Sequence, residues 1–256
     1  MEENKNEVMV VNCVYPALNA NSNTELSVEE ELMAEEMAEL GGVQLKLPKI
    51  KLGASGNGKL DVPDNDNPDE SRQVKEIEGV IVCALASRAK WNEGDTIPEC
   101  SSKNGKESVD GKSCANCKLC KFTKTKDGQL VRPECKESRN LYLLTKEHSM
   151  PLHFVIPPSG IKAYDEFART ILSSKKTQLG TIVKISVDIK TNSANQKYNC
   201  AKFESVGRVE PELLGGILKV KKQITEMLSS MSVEDVYADN ETMSTLTPEE
   251  ENSMPF

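Results

Sequence analysis

The chain has 256 residues, a formal net charge of −8 and only two histidines, His148 and His153. No apolar run is long enough to suggest a transmembrane helix, and two histidines leave little for a histidine-based catalytic centre. The negative total hides an asymmetry, since residues 1–42 carry −9, residues 43–210 carry +7 and residues 211–256 carry −6. A basic middle attracts polyanions, while acidic ends repel them or compete for the same surface.

In chain order, residues 1–23 are polar and acidic with no apolar signal segment, and read as a poorly ordered start. That start, with no disulfide-favouring context, leads us to expect a cytoplasmic protein, in a bacterium or a phage-infected host. Ser27-x-x-Glu30 is a capping-box pattern, and Leu32, Met33, Met37 and Leu40 recur at helical spacing up to Gly41-Gly42. It predicts a short acidic helix, serving as a solubilising arm or a partner-binding element.

From Val43 the pattern alternates through Leu45, Leu47, Ile50 and Leu52, an edge strand interrupted by Pro48. Gly53 to Lys59 has a superficial phosphate-loop look but lacks the Lys-Ser/Thr ending, and reads as a hairpin turn. Residues 61–71 read as a polar loop. Ile77 to Ala86 is the most apolar run and predicts a central strand, with Arg88, Lys90 and Trp91 where it emerges.

Five of the eight cysteines then fall within 36 positions, as Cys100-x13-Cys114-x2-Cys117-x2-Cys120-x14-Cys135. The intervening Ser, Lys, Asn and Gly cannot build a core, so something else must order the segment. Cysteines two apart can aim both sulfurs at one point, and a structural zinc ion closes such a site with two remote thiolates. Either Cys100 and Cys135 join Cys114 and Cys117, or Cys120 takes the place of Cys100. An iron–sulfur cluster is the competing reading, disfavoured by the polar loop and by Pro133 lying two residues before Cys135.

Leu141 to Thr145 and Leu152 to Ile156 predict two strands. Ser159 is expected to cap a helix with Ile161, Tyr164, Ala168, Ile171 and Leu172 on one face. Thr181 to Lys190 and Lys197 to Val206 predict a hairpin. Pro211 opens a last helix through Leu213, Leu214, Ile217, Leu218, Ile224, Met227 and Leu228. Five or six strands with a helix between the third and fourth is the layout of an OB-fold, so the expected class is mainly β: a Greek-key barrel with an inserted zinc-binding loop and one internal helix, flanked by acidic helices and tails. The expected organisation is an acidic arm (1–42), the barrel (43–210) with its metal loop (98–140), a helix (211–231) and an acidic disordered tail (232–256).

An OB-like barrel binds single strands where cations line a groove and rings face it, because every base offers a stacking face. The candidates are Arg88, Lys90, Trp91, Lys121, Phe122, Lys124, Arg139, Tyr142, Lys197, Tyr198 and Lys202, with Phe203 beside them. Burial in the core is the competing reading for each ring. The ending Glu249-Glu250-Glu251 with Pro255-Phe256 suits a partner pocket, in which a terminal ring and carboxylate enter an apolar, basic-rimmed hole. No Ser/His/Asp arrangement, Walker loop or carboxylate cluster points to an enzyme. The alternative is a zinc-stabilised interaction module acting on a polymerase or nuclease without binding DNA.

That ending resembles the acidic Pro-Phe tail by which bacterial single-stranded DNA-binding proteins recruit replication and repair enzymes. The middle resembles phage-type single-stranded DNA-binding proteins with a zinc loop in an OB-fold. The residues carrying the likeness are Leu47 to Leu52, Glu78 to Val82, Pro98 to Gly105, Cys114, Cys117, Cys135 and Leu141-Tyr142. The resemblance implies one zinc ion on Cys100, Cys114, Cys117 and Cys135, with Cys120 an addition. It further implies single-stranded DNA and replication, recombination or repair proteins as partners, no membrane, and room for self-association.

Overall fold

The computed structural model describes residues 47–65, 67, 70–95, 97–192 and 195–231. The acidic helix expected near residues 27–40, and the tail with Glu249, Glu250, Glu251, Pro255 and Phe256, lie outside the described residues.

Mainly β structure follows from the β-branched runs. The strands are β1 (Lys49–Leu52), β2 (Leu60–Pro63), β3 (Ser71–Val74), β4 (Glu76–Lys90), β5 (Cys100–Ser102), β6 (Thr123–Lys124), β7 (Leu130–Val131), β8 (Lys136–Leu144), β9 (Leu152–Ile156), β10 (Thr181–Thr191) and β11 (Lys197–Arg208). Helix α1 (Pro158–Ser173) joins β9 to β10, and α2 (Leu214–Ser230) follows β11. One sheet runs in the order β11-β10-β4-β8-β9-β1-β2-β3, with β5 on β4, while β6 and β7 form a separate ribbon. All its pairs are antiparallel except β1 with β9.

The sheet curls into a half-barrel until β11 returns to the β1–β2 turn. There Asn199 Nδ2 donates to the carbonyls of Gly53 and Ala54, each at 2.9 Å, and Asn199 Oδ1 accepts from Gly58 N at 3.2 Å. The turn closes on itself through Gly53 N to Lys59 O at 2.9 Å. Gly53 to Lys59 is therefore a hairpin turn fastened to the barrel.

β4 is apolar from Gly79 to Ala86 because both its faces are covered there. Ile81 points into the concave side with Leu141, Leu143, Phe154, Ile156, Val183 and Ile185, against Tyr164 of α1. Val80, Val82 and Cys83 point the other way, with Tyr142, Leu144 and Ile182, against Ile217, Val220 and Ile224 of α2. Each such buried side chain contributes about 1.5–3 kcal/mol. Gly79 sits mid-strand because a Cβ there would lie 2.4 Å from the Leu144 carbonyl oxygen.

Several expectations shift. The stretch 61–71 is not wholly loop, since β2 hides Leu60 and Val62 among its polar residues. β4 continues to Lys90, carrying Arg88 within the strand. Ser159 makes no cap bond: α1 starts from Pro157 with Pro158 in its first turn, where a missing N–H costs nothing. Leu172 and Leu218, expected on apolar helix faces, are exposed, and Val220 takes the inward position instead. Among the described residues no helix is long and apolar enough to cross a membrane.

Candidate functional site

The cysteine segment leaves the sheet between β4 and β8, and its root is fastened by charge. Lys90 Nζ bridges Glu99 at 2.8 Å and Glu134 at 3.3 Å, joining the strand to the residues just before Cys100 and Cys135. Glu99 first and then Glu134 hold the Lys90 ammonium above its ordinary range. One carboxylate, Glu137, takes Arg88 on one oxygen and Arg139 on the other, and Arg139 Nε reaches Asp165 of α1 at 3.5 Å. Lys202 pairs with Glu204 at 2.9 Å. Arg88, Lys90, Arg139 and Lys202, all expected to meet phosphates, each pair with a carboxylate in this structure.

The first limb of the segment is a packed turn. Asn104 Oδ1 accepts from the backbone N–H of Lys106 and Glu107 at 2.8 and 2.9 Å, and Ser102 Oγ donates to the Glu107 carbonyl at 2.6 Å. Gly105 has φ +69°, and a Cβ on it would stand 2.9 Å from that of Ala86. A side chain there is excluded by both conformation and space.

Single 3-10 turns then carry Cys114–Asn116 and Lys118–Cys120. Cys117 N bonds the Cys114 carbonyl, Cys120 N the Cys117 carbonyl, and Cys135 N the Leu119 carbonyl at 2.9 Å. The thiols are neighbours: Cys120 shares hydrogen bonds with Cys135 and Cys117, and Cys100 lies within electrostatic reach of Cys114 and Cys117. Burial, reinforced by the Cys120 thiol, pushes the Cys135 thiol up to about 12. Among the described residues no three His, Cys, Asp or Glu side chains are arranged to hold a metal ion, and none of the described cysteines is in a disulfide. The donor chemistry fits a soft cation, since five thiols gather on one segment.

Between Cys120 and Cys135 the chain makes the β6–β7 ribbon; Lys121 and Phe122 just before it and Lys124 on it are exposed. Lys197 is exposed at the β10–β11 turn. Trp91 is half-buried, with its indole nitrogen shielded from solvent. Tyr142 and Tyr198 are buried at 5% and 7% exposure, which leaves neither a face to offer a base. Phe203 packs on Tyr164 and Phe167. The structure therefore brings Lys121, Phe122 and Lys124 together, and places Lys197 apart from them on another turn.

Sequence reasoning passed over a polar row on the sheet. His153 Nε2 donates to Asn140 Oδ1 at 3.0 Å, Asn140 Nδ2 donates to Ser87 Oγ at 2.7 Å, and Ser87 and Ser138 share a hydrogen bond of 2.7 Å. Tyr142 stacks on His153, with ring centroids 4.8 Å apart and planes 5° from parallel. Burial and then the Lys49 charge hold the imidazole neutral, with its pKa lowered to about 3. The available signal was the alternation of Ser138, Asn140 and Tyr142 along one face of β8, since polar groups on a covered face need partners.

Comparison of the chain with protein-family models, with curated proteins and with solved structures finds no match in any of the three.

Proposed function

We propose that the protein is a non-catalytic, sequence-nonspecific single-stranded DNA-binding protein of OB-fold type. The observation that carries this reading is the strand order. β4, β8 and β9 form a meander, α1 follows, and the β10–β11 hairpin returns to the far edge of β4. This order supports an OB-type reading, in which the loop between the first two strands and the loop between the last two flank the nucleic-acid face. The first of those loops is the cysteine segment and the second is the turn beside Lys197. β1, paired with β9 and β2, is an addition to that plan.

Residues 100–140 carry ten Lys and Arg against five Asp and Glu, which favours a polyanion. Zinc on Cys100, Cys114, Cys117 and Cys135 supplies shape alone, because four thiolates leave no open position for water. The acidic tail recruits replication, recombination or repair proteins through Pro255 and Phe256. The test is charge reversal to Glu of Lys121 and Lys197, which lie outside the β6–β7 ribbon. We expect oligo-dT affinity to fall at least tenfold with thermal unfolding unchanged, and an unaltered affinity would sink the assignment.

A further inference from the structure

The β6–β7 ribbon differs from every other strand pair in having no sheet behind it. Thr123 pairs with Val131 and Lys124 with Leu130. Its turn is tight: Thr125 N bonds Gln129 O at 2.9 Å, Gly128 N bonds Thr125 O at 3.0 Å, and Gln129 N bonds Thr125 Oγ1 at 3.1 Å. A Cβ on Gly128 would meet nothing within 4 Å, so the tip is open to solvent there. Every residue from Lys121 to Val131 is exposed, with Phe122 at 47%, Leu130 at 57% and Val131 at 42%. Leu130 and Val131, consecutive in β7, face opposite sides of the ribbon, and Phe122 lies just before β6, so exposed apolar surface is offered on both faces.

Charge selects the occupant. From Lys118 to Arg132 the segment carries Lys118, Lys121, Lys124, Lys126 and Arg132 against Asp127 alone. A rigid ribbon exposed on both faces is convex, whereas bases of a single strand stack in a concave groove. A double-stranded groove is the complementary polyanionic concavity, since the major groove admits a two-stranded ribbon and apolar side chains can wedge at base steps. We propose that the β6–β7 ribbon engages duplex DNA next to the bound single strand, so that the protein prefers single-strand/double-strand junctions. The proposal rests on the single-strand reading above and names a second ligand for the same loop.

The full-length protein is titrated with three probes: oligo-dT, a blunt duplex, and the same duplex carrying an oligo-dT tail of equal length. We expect the tailed duplex to bind about tenfold tighter than the tail alone, about 1.4 kcal/mol. The variants Lys126→Glu and Leu130→Ser/Val131→Ser change exposed side chains at the ribbon tip. They should abolish that preference while oligo-dT affinity stays within twofold. Equal affinity for tail and tailed duplex overturns the inference and leaves the single-strand reading standing. Variants that weaken oligo-dT and tailed duplex alike also overturn it, placing the ribbon on the single strand. Absence of oligo-dT binding overturns both.

Discussion

Asn199 Nδ2 donates to the Gly53 carbonyl at 2.9 Å, joining β11 to the β1–β2 turn across 146 positions of sequence. The same amide serves Ala54 O and Asn57 Oδ1, and the Asn199 oxygen takes Gly58 N. The half-barrel is closed here by side chains rather than by a strand ladder, since Ser55 Oγ of the same turn donates to the Lys197 carbonyl of β11 at 2.6 Å.

Replacing Asn199 with Ala strands the buried Gly53 carbonyl, at a cost of about 1–3 kcal/mol when left unsatisfied, and removes the partner of the Ala54 carbonyl and of the half-buried Gly58 N–H. We expect urea unfolding to show a loss of at least that size with an unchanged m-value. A midpoint equal to wild type would mean that the turn does not depend on Asn199.

Gly79→Ala pushes a methyl against the Leu144 carbonyl oxygen, 2.4 Å away in a central strand where neither backbone can retreat. Overpacking of this kind costs about 1–3 kcal/mol. Thermal unfolding should report it, and an unshifted midpoint would show that β4 and β8 are freer to separate than their pairing implies.

His153 supplies a pH signature. Its folded pKa is lowered to about 3 by burial and by Lys49, against about 6.5 in an unfolded chain. Between those values the unfolded state binds more protons, so the contribution to stability is complete above about 6.5 and is lost as pH falls toward 3. Comparison of wild type with His153→Gln in urea from pH 7 to pH 5 isolates it. Wild type should lose stability more steeply on acidification, and parallel profiles would contradict a neutral His153.

The zinc proposal makes its own demand. Emission spectrometry of the purified protein should give one zinc per chain, and Cys117→Ser should release it and lower the unfolding midpoint. Unchanged metal content in that variant would overturn the ligand set, and a coloured preparation containing iron would replace zinc with a cluster.

Most strands were legible because β-branched runs between turn residues have few other ways to bury themselves. β9 follows Leu152 to Ile156 to the residue, and β10 and β11 match their runs to within about two residues. What escaped was what depends on a third element. α2 covers the outer face of β4 and β8, so alternation could not tell that Tyr142 points beneath a helix rather than to solvent. Strand-end cations read as phosphate ligands because the carboxylates that Arg88, Lys90 and Arg139 meet across elements, Glu137, Glu134 and Asp165, come from distant positions in the chain. β2 was hidden because two buried residues, Leu60 and Val62, do not outweigh the polar residues around them.

The most direct test of the central claim is titration of the full-length protein with oligo-dT at several salt concentrations, reading Trp91 fluorescence. The account predicts saturable binding whose affinity falls linearly on a log–log plot against salt, as released counterions require, with emission changing because Trp91 lies at the root of the loop. Absence of binding at low salt, by the full-length chain and by a chain lacking residues 246–256, would contradict it and favour a zinc-stabilised module that binds protein alone.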